Sequence, residues 1–249
     1  MKKLENRVAV ITGGNSGIGL ATAQLFAQQG AHVAITGRNQ QTLESAISQI
    51  GNDAIGVASN SAYLTQIDQL YQKVDQAFGK IDILVINAGV YVTGLLSDYT
   101  EEMFDQTSDI NFKGVFFSVQ KALPYLKDGA SIILTGSTVS EKGLPTIAAY
   151  AATKAAVRSL ARSFSAELLD RKIRVNVLSP GPVDTPVFER SGASQEEIAG
   201  AKAYMAQATP VKRMGTTDEM AQGFLYLASD DSKFMVGGEL LLDGGLRTL

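Results

Sequence analysis

The sequence predicts an α/β protein: a doubly wound, seven-stranded parallel sheet with helices on both faces, folded as a single domain. Three observations point there. Short β-branched runs alternate with helix-patterned stretches along all 249 residues. The runs show little polar alternation, which suits strands covered on both faces. The first run passes directly into a glycine-rich turn that opens a helix, the usual start of an open parallel sheet.

Taken in order, the first strand is read at residues 8–11, and a helix over 18–29 ends at Gly30, the residue type that most easily takes the left-handed turn after a helix. Further strands are read at 32–36, 54–57, 83–86, 131–134, 173–178 and 239–242, with helices at 149–169 and 217–228. No repeat or flexible linker divides the chain. The stretch 180–213 breaks the rhythm with Pro180, Gly181, Pro182 and Pro186, followed by a helical, partly apolar segment around 187–205. An insertion at a strand's carboxyl end is placed to act as a lid, set here at about 184–213. Val187, Phe188, Ala201, Ala203, Tyr204 and Met205, with Val92, Val139 and Leu144, are its expected apolar wall.

Composition narrows the chemistry. With 45% hydrophobic residues the chain can bury a large core. A net charge of -3 leaves no basic excess for nucleic acid. There is no cysteine and one histidine, His32, so thiolate chemistry is excluded and no metal site is expected. His32 is read as structural. Glu5, Asn6 and Arg7 interrupt any apolar start, and no run approaches the roughly 20 residues that span a bilayer, so a cytoplasmic location without membrane contact is expected. Catalysis must rest on Ser, Tyr, Lys, Asn or carboxylates.

The turn reads Thr12-Gly13-Gly14-Asn15-Ser16-Gly17-Ile18-Gly19. Glycines let the backbone approach a pyrophosphate, and the first N–H groups of the helix face it with partial positive charge. A tight turn without a ligand would use the same glycines; the position after the first strand favours a dinucleotide. The second strand ends in Gly37-Arg38-Asn39, with no acid to hold a ribose 2′-hydroxyl. Arg38 can grip a 2′-phosphate, so NADP(H) is expected over NAD(H), the alternative being a solvated loop charge.

Tyr150 and Lys154 stand four residues apart in an alanine-rich helix and share a face. An ammonium beside a phenol lowers its pKa toward neutrality, so Tyr150 is expected to be acidified. Ser137, at the end of the fifth strand, could hold a reacting oxygen. Taken alone, the pair is also what an ordinary helix surface carries.

Together, Thr12-Gly-x-x-x-Gly-x-Gly19, Asn87-Ala88-Gly89, Asn111, Ser137, Tyr150-x-x-x-Lys154, Pro180-Gly181 and Asp243-Gly244-Gly245 closely resemble the short-chain dehydrogenase/reductase family, in particular its 3-oxoacyl-[acyl-carrier-protein] reductase-like and carbonyl reductase-like members. The resemblance spans essentially the whole chain and implies a Rossmann-type sheet. It implies Tyr150 as general acid/base, Ser137 as the residue that positions the oxygen, Lys154 on the nicotinamide ribose and Asn111 in a water-linked proton relay. It further implies that Gly13, Asn15, Ser16, Gly17, Ile18 and Gly19 hold the pyrophosphate, that Asn87, Ala88 and Gly89 border the cofactor, and that Pro180, Gly181, Val183 and Thr185 cradle its nicotinamide end. Many relatives carry Asp after the third strand, against the adenine; this chain has Asn60, whose amide can still accept a hydrogen bond.

The expected function is NADPH-dependent reduction of a ketone or aldehyde to an alcohol, reversible, on a small-molecule substrate. Two alternatives stay open: oxidative action on a sugar, polyol or secondary alcohol, and a non-catalytic dinucleotide sensor. The resemblance also implies a homotetramer built from the helices that carry Asn111 and Tyr150, with the alanine-rich surface over 148–156 permitting close approach.

Overall fold

The computed structural model describes residues 2–51, 53–189 and 194–249. Seven strands, β1 (Val8–Ile11), β2 (His32–Gly37), β3 (Ile55–Ala58), β4 (Ile81–Ile86), β5 (Leu126–Thr135), β6 (Arg174–Pro180) and β7 (Glu239–Leu242), form one parallel sheet in the order β3-β2-β1-β4-β5-β6-β7. The strands are apolar almost throughout because both faces are covered, and alternate residues go to opposite layers. Val8 and Val10 pack with the helices α3 (Leu64–Phe78), α5 (Gly114–Ala122) and α6 (Ala148–Leu168). Ala9 and Ile11 pack with α1 (Gly17–Gln28), α2 (Gln40–Ile50) and α8 (Thr217–Ala228).

Helix α1 stops as the sequence suggests. Gly30 has φ +90°, its N–H reaches the Ala27 carbonyl and the Ala31 N–H reaches that of Phe26, the paired closure of a left-handed helix end. Strand β5 begins five residues earlier than its apolar run: Leu126 pairs with Ile81 across a register shift, so the polar Lys127-Asp128-Gly129 stretch lies within the strand. The helical segment after Pro186 also starts later than expected. Helix α7 (Gln195–Ala208) begins at a capping box, with Glu197 N–H donating to Ser194 Oγ and Ser194 N–H to the Glu197 carboxylate. Part of the expected 187–205 helix and 184–213 lid lies outside the described residues. Among its described residues α7 buries only Ile198; Ala201, Ala203 and Tyr204 are exposed.

Between α4 (Glu101–Ser108) and α5 the chain makes one wider π turn over Asp109–Lys113, which carries Asn111. Strand β1 lies between β2 and β4, so the chain reverses its direction of travel across the sheet there, and the loops at the carboxyl ends of β1 and β4 diverge into a crevice. No helix among the described residues is long and apolar enough to cross a membrane.

Candidate active site

The crevice is a cleft of about 500 Å³. Its floor is a hydrogen-bonded junction between the loops after β1 and β4. The buried Thr12 hydroxyl accepts from the N–H groups of Asn87 (2.9 Å) and Ala88 (3.0 Å), while Asn87 Nδ2 donates to the carbonyls of Thr12 and Gly13 at 3.2 and 3.3 Å. Thr36 Oγ1 in turn accepts from Gly13 N–H at 3.1 Å. Thr12 heads the glycine motif, but its hydroxyl and that of Thr36 have no role in the sequence reading; a hydroxyl at a strand's carboxyl end, facing a glycine turn, is the signal that could have found them.

Glycine is required at two turn positions. Gly13 has φ +65°, and a Cβ on Gly19 would lie 2.2 Å from the Gly13 carbonyl oxygen. Gly19 therefore shapes the turn from below, whereas Gly13, Asn15, Ser16, Gly17 and Ile18 face the cleft. Ser16 caps α1 without a side-chain hydrogen bond and the first turn holds no acid, so among the described residues no side chain occupies its first N–H groups, which suit an anion.

Arg38, Asn39 and Thr42 form the far rim with Asn60. Arg38 is exposed, with no partner among the described residues, and stands at the start of α2, whose first turn is also free of acids. Asn60 is more committed than its sequence implied. Its Oδ1 accepts from Ala62 N–H at 3.0 Å, so the acceptor expected to face adenine is already holding the turn.

Asn87, Ala88 and Gly89 line the opposite wall. Gly89 connects this wall to the remaining polar side chains: a Cβ there would lie 3.2 Å from Asn111 Oδ1 and 3.9 Å from Lys154 Nζ. Asn111, 1% exposed, exchanges two hydrogen bonds with the Val90 backbone, accepting at 2.9 Å and donating at 2.8 Å. The π turn presents it to that loop, in place of the purely internal helix bond its position would otherwise suggest.

Ser137 follows β5 and caps a short 3-10 turn over Thr138–Glu141, with its Oγ accepting from Val139 N–H at 3.4 Å. Tyr150 and Lys154 lie in the first two turns of α6, which the Ser165 hydroxyl locks to β6 through the Val175 carbonyl (2.7 Å) and N–H (3.2 Å). Lys154 is buried, donates to the Thr135 carbonyl at 2.8 Å, and places its ammonium 5.6 Å from the centre of the Tyr150 ring. Desolvation pushes Lys154 down to about 8.

The phenol does not follow the expectation. Burial raises Tyr150 to about 12, against the lowering effect of a side-chain hydrogen bond with Ser137. Desolvation outweighs the Ser137 hydrogen bond, and the expected acidification by Lys154 is absent. The Tyr91 ring meets the Tyr150 ring edge-on at 5.0 Å and 84°, a neighbour the sequence did not reveal.

Thr185, with Pro186 and Val187, lines one side of the cleft. Pro180, Gly181 and Val183 stand behind that lining: the Pro180 carbonyl accepts from Thr138 Oγ1, Gly181 N–H donates to Leu242, and Val183 bridges to Gly215. His32 lies at the amino end of β2, away from the cleft, against Phe78.

The fold and this arrangement define an oxidoreductase of the dinucleotide-binding α/β class. Residues 13–247 match the family model described as "Enoyl-(Acyl carrier protein) reductase". The chain is 36% identical to a 3-oxoacyl-[acyl-carrier-protein] reductase of Thermotoga maritima, over 98% of this chain and 99% of the relative. It is 37% identical to an NADP-dependent (R)-specific alcohol dehydrogenase of Lentilactobacillus kefiri, over 98% and 97%. A short-chain dehydrogenase/reductase from Serratia marcescens superposes with a TM-score of 0.91 at 31% identity, covering 99% of this chain and 100% of that one. The chain belongs to the short-chain dehydrogenase/reductase family, whose members use NAD(P)(H).

Proposed function

We propose that the protein reduces a ketone or aldehyde carbonyl to an alcohol with NADPH, reversibly, and that Tyr150 is its general acid/base. The observation that carries this reading is the grouping of Ser137 and Lys154 about Tyr150, with the Lys154 ammonium 3.9 Å from where a Cβ on Gly89 would lie, and Gly89 itself lining the cleft that starts at the glycine turn.

The donor set fits a dinucleotide. Two of the three Lys154 N–H bonds have no protein partner among the described residues, and the nearby Thr135 Oγ1 is buried without one. A ribose hydroxyl would accept from the Lys154 ammonium. At the other end the first N–H groups of α1 suit a pyrophosphate and Arg38 suits a 2′-phosphate, in line with the NADP dependence named for the Lentilactobacillus relative. Gly13, Asn15, Ser16, Gly17, Ile18, Arg38, Asn60, Asn87, Ala88, Gly89 and Thr185 are the proposed contacts, with Gly19, Pro180, Gly181 and Val183 supporting them from behind.

Bound nicotinamide supplies the hydride. The chain's own residues handle the oxygen. The Ser137 hydroxyl holds the carbonyl oxygen, and Tyr150, protonated at neutral pH with a pKa of about 12, donates its proton to that oxygen as negative charge develops. Lys154, charged below about pH 8, supplies the positive field that stabilises the resulting phenolate. Asn111 fixes the Val90 backbone and so the wall facing these groups.

The segment at about 184–213 serves as the lid. Lys202 of α7 pairs with Asp184 (2.7 Å) and Glu189 (2.9 Å), tying that helix to the stretch that contributes Thr185, Pro186 and Val187 to the cleft. A homotetramer is supported by Phe104 and Phe112, 55% and 41% exposed, around a small apolar hollow with Ala149, Ala152 and Ala156.

A panel of ketones, aldehydes and acyl thioesters assayed for NADPH oxidation tests the function. Tyr150→Phe is expected to abolish turnover while NADPH still binds; near-normal turnover in that variant would remove the mechanism.

A further inference from the structure

Tyr91 is unexplained by the reaction above, yet it is the aromatic neighbour of Tyr150. Its ring meets that of Tyr150 edge-on, at 5.0 Å and 84°, the arrangement in which a ring's positive edge faces a negative π surface. The remainder is open, for Tyr91 is 49% exposed.

The backbone around Tyr91 is held at both ends. Val90, just before it, makes the two hydrogen bonds with Asn111, at 2.9 and 2.8 Å. Gly94, three residues after it, donates its N–H to the Thr146 carbonyl at 2.9 Å. Thr146 has φ +70° and is the only β-branched residue among the described non-glycine residues of positive φ. A branched side chain rarely tolerates that conformation, which persists only where the surroundings impose it. Thr146 directly precedes Ile147, the cap of α6, and stands four residues before Tyr150. The loop that carries Tyr91 and the start of the helix that carries Tyr150 are therefore tied together.

We propose that Tyr91 is a positioning and specificity-determining residue: its ring fixes the orientation of Tyr150, and its open side is the wall against which the larger carbonyl substituent lies, favouring a flat ring over a flexible chain. A planar group stacks on an aromatic surface at little conformational cost, whereas an alkyl chain loses rotational freedom there. The groups facing Tyr150 are Tyr91 from the loop after β4, Ser137 from the turn after β5 and Lys154 from α6 itself. This specificity rests on the carbonyl reduction proposed above; the positioning does not.

The test compares wild type with Tyr91→Phe and Tyr91→Leu, the latter keeping apolar bulk without a ring. In the ligand-free protein, NMR of ring-labelled tyrosine reads Tyr150 directly, its signal being the one lost in Tyr150→Phe. The expected result is a single signal unchanged in Tyr91→Phe and displaced or split in Tyr91→Leu. Kinetics with a phenyl alkyl ketone and a straight-chain ketone of equal carbon number then read specificity. Tyr91→Leu should lower kcat for both and shift the ratio of kcat/KM about fivefold away from the phenyl ketone through KM, while Tyr91→Phe stays within about twofold of wild type. A Tyr150 signal identical in all three proteins overturns the positioning, and an unchanged ratio overturns the specificity. Absence of NADPH oxidation by the wild type with either ketone refutes the reduction and with it the specificity, while the NMR result still decides the positioning.

Discussion

Replacing Arg38 with Ala tests how the cleft chooses its dinucleotide. The side chain is exposed at the rim, with no partner among the described residues, so its removal unpairs nothing within the protein. What is lost is its contact with a 2′-phosphate. Charge-assisted hydrogen bonds are worth about 1.5–3 kcal/mol, and solvent around an exposed guanidinium places this one near the lower figure. At about 1.4 kcal/mol per decade, the expected loss in kcat/KM for NADPH is roughly 10- to 30-fold, carried mainly by KM because the contact is the same in ground and transition states. NADH, lacking the phosphate, should change by less than about twofold. Some preference for NADPH survives, because the start of α2 adjoins the same rim and its first turn holds no acid. Initial rates with both cofactors on one carbonyl substrate measure the ratio, and added salt should narrow it in the wild type more than in the variant. Equal losses with both cofactors, or a wild-type ratio near one, would refute the reasoning.

Lys154→Met is expected to remove activity yet raise the melting temperature at pH 7 by roughly 5 °C, because holding the buried ammonium charged, with a pKa of about 8 in place of 10.5, costs about 3 kcal/mol, part of which the lost bond to Thr135 offsets. The sign follows from linkage: the cost is complete below about pH 8 and fades toward 10.5, so wild-type stability gains from this group across that window, and thermal melts of the variant should lack that gain. Elsewhere, Arg158 and Arg247 each pair with both Glu141 and Glu239, joining the turn after Ser137, α6, β7 and the chain's last residues in a closed ring. Arg247→Met leaves the partly buried Glu239 and the exposed Glu141 each short of a partner, an expected loss of about 2 kcal/mol or roughly 4–8 °C in melting temperature, which calorimetry reads; an unchanged melt would show the ring to be energetically idle.

The sheet was legible because most of its strands are buried on both faces and so carry few polar residues, and because the turn glycines are forced by close approach and positive φ. The seven strands fall on the expected runs. What escaped was set by partners distant in sequence. The polar start of β5 is held in the sheet by Ile81; the start of α7 is the exception, set by a local capping box at Ser194 and Glu197. In the site, Asn111 and Lys154 stand near Gly89, and Thr12 and Thr36 matter through hydroxyls at strand ends beside the glycine turn, but Tyr91 matters through a contact that no local pattern announces. Asn60 shows the reverse, a residue whose acceptor looked available until the turn it holds was seen.

The pKa values of Tyr150 and Lys154 bear on the direction of the proposed reaction. With the phenol at about 12, removing its proton at pH 7 costs roughly 7 kcal/mol before any ligand is present. A donor in that state is ready for reduction, where the proton must arrive on a developing alkoxide. Oxidation needs the phenolate first. The chain offers the Ser137 hydrogen bond and the Lys154 ammonium, whose own charge burial makes harder to keep, so the remaining stabilisation has to come from a positive charge brought by the ligand. Oxidised nicotinamide carries such a charge and the reduced form does not. The pH dependence of the two directions should therefore separate: the reductive rate is set on the alkaline side by loss of the Lys154 proton near 8, whereas the oxidative rate rises with pH as the phenolate forms beside the charged ring. Coincident profiles in both directions would mean that the proton enters and leaves through another group.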